Sequence, residues 1–268
     1  MRQSRTLRLS LRALATVYLG LLVAVPVTMI LVRALAPGLR TWWQWVTTPA
    51  AISALNLTLL IIAIVVPLNV VFGVITALAL ARGRFPGRAV LQTLVDLPFA
   101  VSPVVVGVAM IALWGTNGWF GWLPQHGIRV VYALPAMVLA TSFVTMPFVV
   151  REVEPVLREL GTDQEQAAAT LGASRFQVFS RITLPAIRWG LTYGVVLTIS
   201  RALGEYGAVL LVSSNLPGVS QTLTLLVHGR FVDDHNVYGA YAASTVLMGL
   251  ALVTLLVTTL LDHWKKQR

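Results

Sequence analysis

The chain has 268 residues, and its composition of 57% hydrophobic and 11% charged residues, with a mean hydropathy of +0.79, excludes an ordinary soluble domain and indicates a chain surrounded by membrane lipid. The formal net charge is +10, but the basic residues lie between apolar runs instead of on one solvated face, so no nucleic acid is expected as a partner. The chain has no cysteine, which excludes disulfides and cysteine-based zinc or redox sites.

Six charge-poor segments are long enough to cross a bilayer as helices, which takes about 20 residues each. They cover residues 13–32, 54–81, 89–114, 130–150, 189–214 and 237–261. The sequence therefore predicts an all-α integral membrane protein with one transmembrane domain, residues 13–262, between short tails at 1–12 and 263–268.

The first segment has features of a secretory signal peptide, because four arginines precede it and Ala34-Leu35-Ala36 resembles a cleavage site. Its apolar core is longer than the roughly 7 to 15 residues of a signal peptide. We therefore expect a helix that is retained in the protein.

Lys and Arg are distributed unevenly among the links between the segments. Fifteen of them fall in the two tails and in the 82–88 and 151–188 links, whereas the other three links hold four. Because cytoplasmic segments carry the excess of Lys and Arg, both termini of this multi-pass protein of the inner or plasma membrane are predicted to be cytoplasmic.

Prolines interrupt the third segment at Pro98 and Pro103. Backbone groups freed by such a break are tolerated where they line water or are buried in protein, so Ser102 and its neighbours are candidates to line a pathway. Asp96 is ionisable at membrane depth, which makes it a candidate for either a structural hydrogen bond or a gate.

The link between the fourth and fifth segments carries strong helix signals. Thr162-Asp163-Gln164-Glu165 fits a capping box, an Ala-rich stretch follows, and Gly172 suits the left-handed conformation that ends a helix. Ser174-Arg175-Phe176-Gln177 repeats the capping-box pattern, and Pro185 is expected to end the second helix. The 162–185 loop is therefore predicted to form two short helices joined at Gly172.

The second of these helices has an apolar face formed by Phe176, Phe179 and Ile182. Such a face could rest on lipid headgroups or insert in the groove of a partner protein. The small residues of the first helix favour the groove.

The fifth segment contains Arg201 and Glu205, which are four residues apart and can pair on one helix face. The pair is interpreted either as a neutralised structural contact within the bundle or as a functional group that attracts an anion or gates a pathway. Gly204 and Gly207 allow close backbone approach, for packing or for a narrow passage.

Several residues of the 162–185 loop are similar to a known motif. Gln166-Ala167-Ala168, Gly172 and Ile182-Thr183-Leu184-Pro185 resemble the EAA loop by which the permeases of binding-protein-dependent ABC importers dock on their ATPase. The family usually has Glu where Gln166 stands, and here Glu165 precedes it. The resemblance implies the type I importer permease fold and ATPase-coupling roles for Glu165, Gln166, Ala167, Ala168, Gly172, Phe176, Ile182, Leu184 and Pro185.

From about residue 54 onward, residues 96–105, 147–152 and 201–209 resemble sulfate, thiosulfate and molybdate permeases. Residues 116–118 and 188–197 favour the sulfate/thiosulfate CysW type. This resemblance implies a permease that forms half of an anion pathway, with a second distinct permease of the CysT type, two ATPase subunits and a periplasmic sulfate-binding protein as partners. The candidate pathway or gate residues are Asp96, Pro98, Ser102, Pro103, Arg201, Gly204 and Glu205, and the negative charge of Asp96 favours its structural role because it would repel an oxyanion.

The chain lacks the G-x-x-x-x-G-K-[S/T] pattern of a phosphate-binding loop, so ATP hydrolysis is expected on a separate subunit and the chain itself is not expected to be an enzyme. A molybdate permease built as a pair of identical subunits and a gradient-driven secondary anion carrier remain alternatives. An intramembrane enzyme is favoured least, because hydrolase motifs are missing and the histidines lack ligand spacing; no catalytic residue, metal or cofactor is expected.

Overall fold

The computed structural model describes the backbone of residues 5–266 and the side-chain surroundings of residues 11–261. Its helices are α1 Arg5–Leu35, α2 Leu39–Val46, α3 Pro49–Arg82, α4 Arg88–Ala100, α5 Pro103–Trp114, α6 Trp122–Gln125, α7 Leu134–Leu160, α8 Asp163–Thr170, α9 Arg175–Val178, α10 Leu184–Leu203, α11 Gly207–Val212, α12 Leu223–His228 and α13 Val237–Lys266, with π-helical turns at Phe179–Thr183 and Gly229–Asp233. No strand occurs among residues 5–266, which confirms the all-α prediction. The predicted tail residues 1–4 and 267–268 lie outside this range.

The core of the bundle is formed by α3, α7 and α10, with α7 packed extensively against both of the others. The start of α3 is set by Thr48, whose Oγ1 accepts a hydrogen bond from Ala51 N at 3.3 Å, with a proline in the first turn. Between α3 and α7, Asn69 Nδ2 donates to Thr145 Oγ1 at 2.7 Å. A buried hydrogen bond of this kind joins helices in an apolar setting.

Four of the six predicted spans, the first, second, fourth and sixth, are confirmed as continuous helices, namely α1, α3, α7 and α13. The helix α7 continues ten residues past the predicted end of the fourth span, to Leu160. The helix α1 lies at the edge of the bundle against α13 and α2, and its apolar stretch is exposed within the chain. Among residues 11–261, the structure contains five helices long and apolar enough to span a membrane, or six if a bent pair is counted as one span.

The bent pair is the third span, where the chain bends by 114° between α4 and α5. The break falls at Val101 and Ser102, and Pro103 begins α5. The predicted interruption at Pro103 is confirmed. Pro98, by contrast, lies inside α4 and does not end it.

The predicted position of the fifth span, 189–214, is wrong. The helical run begins at Arg175, passes through the π-turn into α10 and ends at Leu203, and α11 is a separate short helix. Pro185 does not stop this run as expected, because the wide π-turn precedes it and Leu184 N donates to Phe179 O, five residues back. A π-turn before a proline accommodates the ring and the missing donor.

Candidate functional site

The 162–185 loop forms one end of the bundle. The predicted first helix is confirmed as α8, and Gly172 has a φ of +84°, as expected for a left-handed helix end. The second capping box is also confirmed, since Gln177 N donates to Ser174 Oγ at 3.3 Å and Ser174 N donates to Gln177 Oε1 at 2.8 Å. The second helix is not a separate short element, because α9 continues into α10.

The predicted capping box at Thr162 is wrong. Thr162 precedes α8 but its side chain does not cap the backbone; instead, Thr162 Oγ1 accepts from Gln166 Nε2 at 2.9 Å. The Glu165 carboxylate is therefore not bound to the backbone at the start of α8. It reaches the end of α3 and the π-turn before α10 instead.

Glu165 lies at the centre of a cluster that ties α8 to the rest of the bundle. Glu165 Oε1 accepts from Thr183 Oγ1 at 2.9 Å and lies 3.2 Å from Arg82 Nη2. Arg82 Nη1 in turn donates to the carbonyl of Leu157 at 2.8 Å. This Glu165 cluster (Glu165, Thr183, Arg82 and the Leu157 carbonyl) joins α8 to the end of α3, to α7 and to the π-turn before α10.

Two large apolar side chains next to the α8–α9 turn face away from the protein. Leu171 is 88% exposed and Phe176 is 77% exposed. Phe179, by contrast, packs inward on the core of α3 and α7. The predicted apolar face of Phe176, Phe179 and Ile182 is therefore not one surface, because Phe176 faces outward and Phe179 faces the core. Leu171 was not among the coupling residues predicted from the sequence. Its position between the Ala-rich helix and Gly172, where the chain turns, could have indicated an exposed apolar side chain.

The remaining predicted coupling residues surround this surface. Gln166, Ala167, Leu184 and Pro185 are exposed, and Ala168 and Ile182 are half-buried. Small side chains on α8 leave room for close approach by another surface. Arg82 was also missed, because in the sequence it stands out only as one of the basic residues of the 82–88 link.

Midway along the bundle, the two helix breaks lie against each other. The helix α5, which follows the break at 101–102, packs on α11, which follows the break at 204–206. A Cβ on Gly207 would lie 3.2 Å from Pro103 Cβ, and a Cβ on Gly107 would lie 2.9 Å from the Ala208 carbonyl oxygen. A side chain at Gly107 would force the backbone to shift, and one at Gly207 would press on Pro103, so the two glycines allow this close contact between Pro103 and the break at 204–206.

The predicted pairing of Arg201 with Glu205 is confirmed, with Arg201 Nη1 2.8 Å from Glu205 Oε2. Glu205 does not lie on the same helix, because α10 ends at Leu203. It is 3% exposed, and its Oε1 accepts from Ala208 N at 2.9 Å in the first turn of α11. Glu205 thus holds both sides of the break.

A cavity of about 10 Å³ lies beside Glu205, lined by Thr58, Thr141, Thr222 and Thr224 among others. This volume holds about one water molecule. An oxyanion does not fit there, so an anion would reach the Arg201 side chain, which is 33% exposed, from its open side.

Asp96 is paired with Arg151, so it connects α4 to α7. Ser102 and Gly204 are exposed, while Pro98 and Pro103 are half-buried. Within residues 11–261, no group of three or more His, Asp or Glu side chains is arranged to hold a metal ion.

Comparison with known proteins gives a family match and relatives over nearly the whole chain. Residues 69–267 match the family described as binding-protein-dependent transport system inner membrane component. The sulfate transport system permease protein CysW of Escherichia coli (strain K12) is 44% identical over 242 residues, covering 90% of this chain and 82% of that protein. The sulfate transport system permease protein CysT of the same organism is 35% identical over 251 residues, covering 93% of this chain and 91% of that protein.

A similar fold occurs in a solved structure. A chain in the crystal structure of a bacterial alginate ABC transporter, in complex with an alginate pentasaccharide-bound periplasmic protein, matches with a TM-score of 0.79 over 98% of this chain and 95% of that chain. The sequence identity is 18%, so this likeness describes the fold alone.

Proposed function

Because this chain belongs to the family of binding-protein-dependent transport system inner membrane components, we propose that it is the CysW-type permease subunit of an ATP-driven sulfate importer. It forms half of the translocation pathway. The observation that carries the mechanism is the end of the bundle at residues 162–185, where Leu171 after α8 and Phe176 in α9 are exposed and α8 is tied to the core through Glu165.

The partners follow from this assignment. In Escherichia coli both a CysW and a CysT sulfate permease protein resemble the chain, which supports a second, distinct permease beside it. The transporter with the same fold was solved with a periplasmic protein, which supports a sulfate-binding protein on the outer side. Two ATPase subunits supply ATP hydrolysis, one docked on this chain. Thiosulfate is a second substrate of the same charge.

In the mechanism, the ATPase binds α8 and the turn between α8 and α9. It contacts the exposed side chains of Leu171 and Phe176 and, on α8, Gln166, Ala167 and Ala168. ATP binding moves α8 as a unit. The Glu165 cluster passes this movement to the ends of α3, α7 and α10. Tilting of these helices shifts the two breaks against each other and switches access to the anion pathway beside Ser102 and Arg201.

The proposal is tested by uptake of radiolabelled sulfate in cells that lack the chain. The native chain is expected to restore uptake, and excess molybdate is expected to compete poorly. If uptake never depends on the chain, or if molybdate abolishes it, the sulfate assignment is wrong.

The role of the 162–185 loop is tested with Gly172→Pro. Proline holds φ near −65°, whereas Gly172 has a φ of +84° and its N donates to the Ala169 carbonyl at 3.0 Å. We expect Gly172→Pro to lower sulfate uptake at least tenfold at normal abundance in the membrane. Gly172→Asn is the matched control, because asparagine tolerates the left-handed conformation and keeps the N–H. Equal uptake by both variants would contradict the coupling role.

A further inference from the structure

The ion pair between Asp96 and Arg151 lies away from the ends of its two helices. Asp96 falls in the third predicted span, eight residues after the start of α4 at Arg88, which is about 12 Å along a helix. Arg151 lies nine residues before the end of α7 at Leu160, about 14 Å from it. Both charges therefore lie at membrane depth, on the side that the distribution of Lys and Arg predicts to be cytoplasmic.

This ion pair is open to its surroundings. The side chains of Arg151 and Asp96 are 49% and 35% exposed, whereas the paired carboxylates of Glu154 and Glu205 are buried. Charged side chains at membrane depth do not face hydrocarbon, because the loss of hydration there is too costly; they face protein or a water-filled cavity. The open side of the pair therefore borders water or another protein, not lipid.

The polar side chains of α4 indicate which of the two it is. They lie on one face of the helix, because they recur at a spacing of four residues with one neighbour beside them: Arg88, Gln92, Thr93 and Asp96. Exposed apolar side chains lie on another face: Val90, Leu94 and Leu97. Interfaces between membrane helices are rich in small residues, which this α4 polar stripe lacks. The stripe therefore suits a water-filled path that leads from the end of the bundle to the ion pair.

Two aromatic rings lie at the inner end of the α4 polar stripe. Phe99 comes one turn after Asp96, Phe148 comes one turn before Arg151, and the rings meet edge to face with their centroids 5.5 Å apart. Beyond them is exposed Ser102, at the break between α4 and α5. An apolar constriction beside charged groups can control the passage of ions. The ion pair thus lies between this constriction and the end of the bundle predicted to be cytoplasmic.

We propose that Arg151 is an anion-binding site in the cytoplasmic part of the pathway, where the departing oxyanion displaces the Asp96 carboxylate from the guanidinium. A guanidinium binds carboxylates and tetrahedral oxyanions with the same fork of N–H donors, so one can replace the other. The return of Asp96 to Arg151 then expels the anion, which prevents the site from holding it too tightly. Asp96 is thus the counter-ion of the empty site. This inference rests on the function proposed above and adds a second cationic site to Arg201.

The test measures sulfate uptake by the complete importer in proteoliposomes supplied with its binding protein and ATP. The double variant Asp96→Asn/Arg151→Gln removes both charges at similar size and leaves neither unpaired. We expect the maximal uptake rate to fall at least tenfold, while the sulfate concentration for half-maximal uptake stays within about twofold of native, because the binding protein captures sulfate first. Glu154→Gln/Arg158→Gln is the matched control, since it neutralises an ion pair nearer the end of the same helix, and it is expected to keep at least half of the native rate.

A binding measurement separates an anion site from a structural contact. Asp96→Asn alone leaves Arg151 without its carboxylate, so the importer in nanodiscs without binding protein is expected to bind radiolabelled sulfate about tenfold more tightly than the native importer does. The double variant is expected to lose this gain. Equal sulfate binding by Asp96→Asn and the double variant would overturn the inference. Loss of the second permease from the purified double variant would also overturn it, because the ion pair would then belong to the contact between the permeases.

The two proposals fail separately. Native uptake rates in the double variant would remove the anion site at Arg151 and leave the assignment as a sulfate importer intact. If the native importer takes up no sulfate, the proposed function fails, and the site at Arg151 fails with it.

Discussion

Glu205 combines a buried charge, an ion pair and a helix cap within one break of the backbone. Its Oε2 pairs with Arg201 and its Oε1 accepts from the amide of Ala208, while Thr224 Oγ1 donates to the Glu205 carbonyl at 2.8 Å. A carboxylate at the start of a helix is stabilised by the amides there. The pair therefore has a clear structural role, and the partly exposed side chain of Arg201 is also placed to contact an anion.

Replacing the two residues singly and together separates the two roles. Arg201→Met leaves the Glu205 carboxylate, whose side chain is 2% exposed, without its cation. We expect a loss of about 1–3 kcal/mol in the free energy of unfolding, less than for a fully buried pair because Arg201 is partly solvated. The double variant Arg201→Met/Glu205→Gln is expected to recover most of the thermal stability but not sulfate uptake, since Arg201 is the only basic residue in the predicted spans. Normal uptake by a stable double variant would assign Arg201 to structure alone.

At the scale of elements, α8 is held to the bundle by few contacts, and Glu165 supplies the most specific of them. Its carboxylate serves Thr183 and Arg82 at once, and the side chains of Glu165 and Arg82 are 23% and 20% exposed. A partly solvated contact of this kind is worth about 1 kcal/mol. The helix is therefore attached to the bundle by a specific but weak contact, as the proposed coupling role requires.

Glu165→Ala is expected to make hydrogen exchange of the α8 amides about fivefold faster, which corresponds to about 1 kcal/mol. Gln166→Ala is the matched control, because its side chain hydrogen-bonds to Thr162 at the start of the same helix and not to α3 or the π-turn. Exchange rates are compared by mass spectrometry of peptides covering residues 160–172. Equal rates in the two variants would contradict the anchoring role of Glu165.

The same elements indicate how far the sequence predicts the structure. Hydropathy located α1, α3, α7 and α13, because a bilayer imposes a minimum apolar length that is visible in the chain. Pro103 predicted the break between α4 and α5. The break at 204–206 has no proline, and the run of apolar residues around it hid the end of α10, so the fifth span was misplaced.

Side-chain partners were predicted where they are local and missed where they are distant. Ser174 and Gln177 form the expected capping box, since both lie within one turn. Glu165 fits the same pattern with Thr162 but bonds to Arg82 and Thr183, which only the folded bundle brings near. The contact between Gly207 and Pro103 and the ion pair between Asp96 and Arg151 likewise depend on tertiary packing.

At the scale of the whole molecule, the two candidate interaction surfaces lie at opposite ends of the bundle. One end presents Leu171 and Phe176 together with the basic 82–88 and 151–188 links, and the other presents a polar pocket between the start of α3 and the π-turn Gly229–Asp233. An importer needs such a division, because its ATPase and its solute-binding protein are separated by the membrane. The excess of Lys and Arg predicts that the first end is cytoplasmic.

The orientation is tested by single cysteines, which the chain allows because it has none of its own. Pro86 and Gln125 are exposed positions in links at opposite ends of the bundle. In intact spheroplasts, a membrane-impermeant maleimide is expected to label Gln125→Cys at once and Pro86→Cys only after permeabilisation. Both variants should first be shown to restore sulfate uptake, so that the labelled chains are correctly folded. Labelling of Pro86→Cys in sealed spheroplasts would reverse the orientation, place the 162–185 loop outside the cell and remove it from reach of any cytoplasmic ATPase.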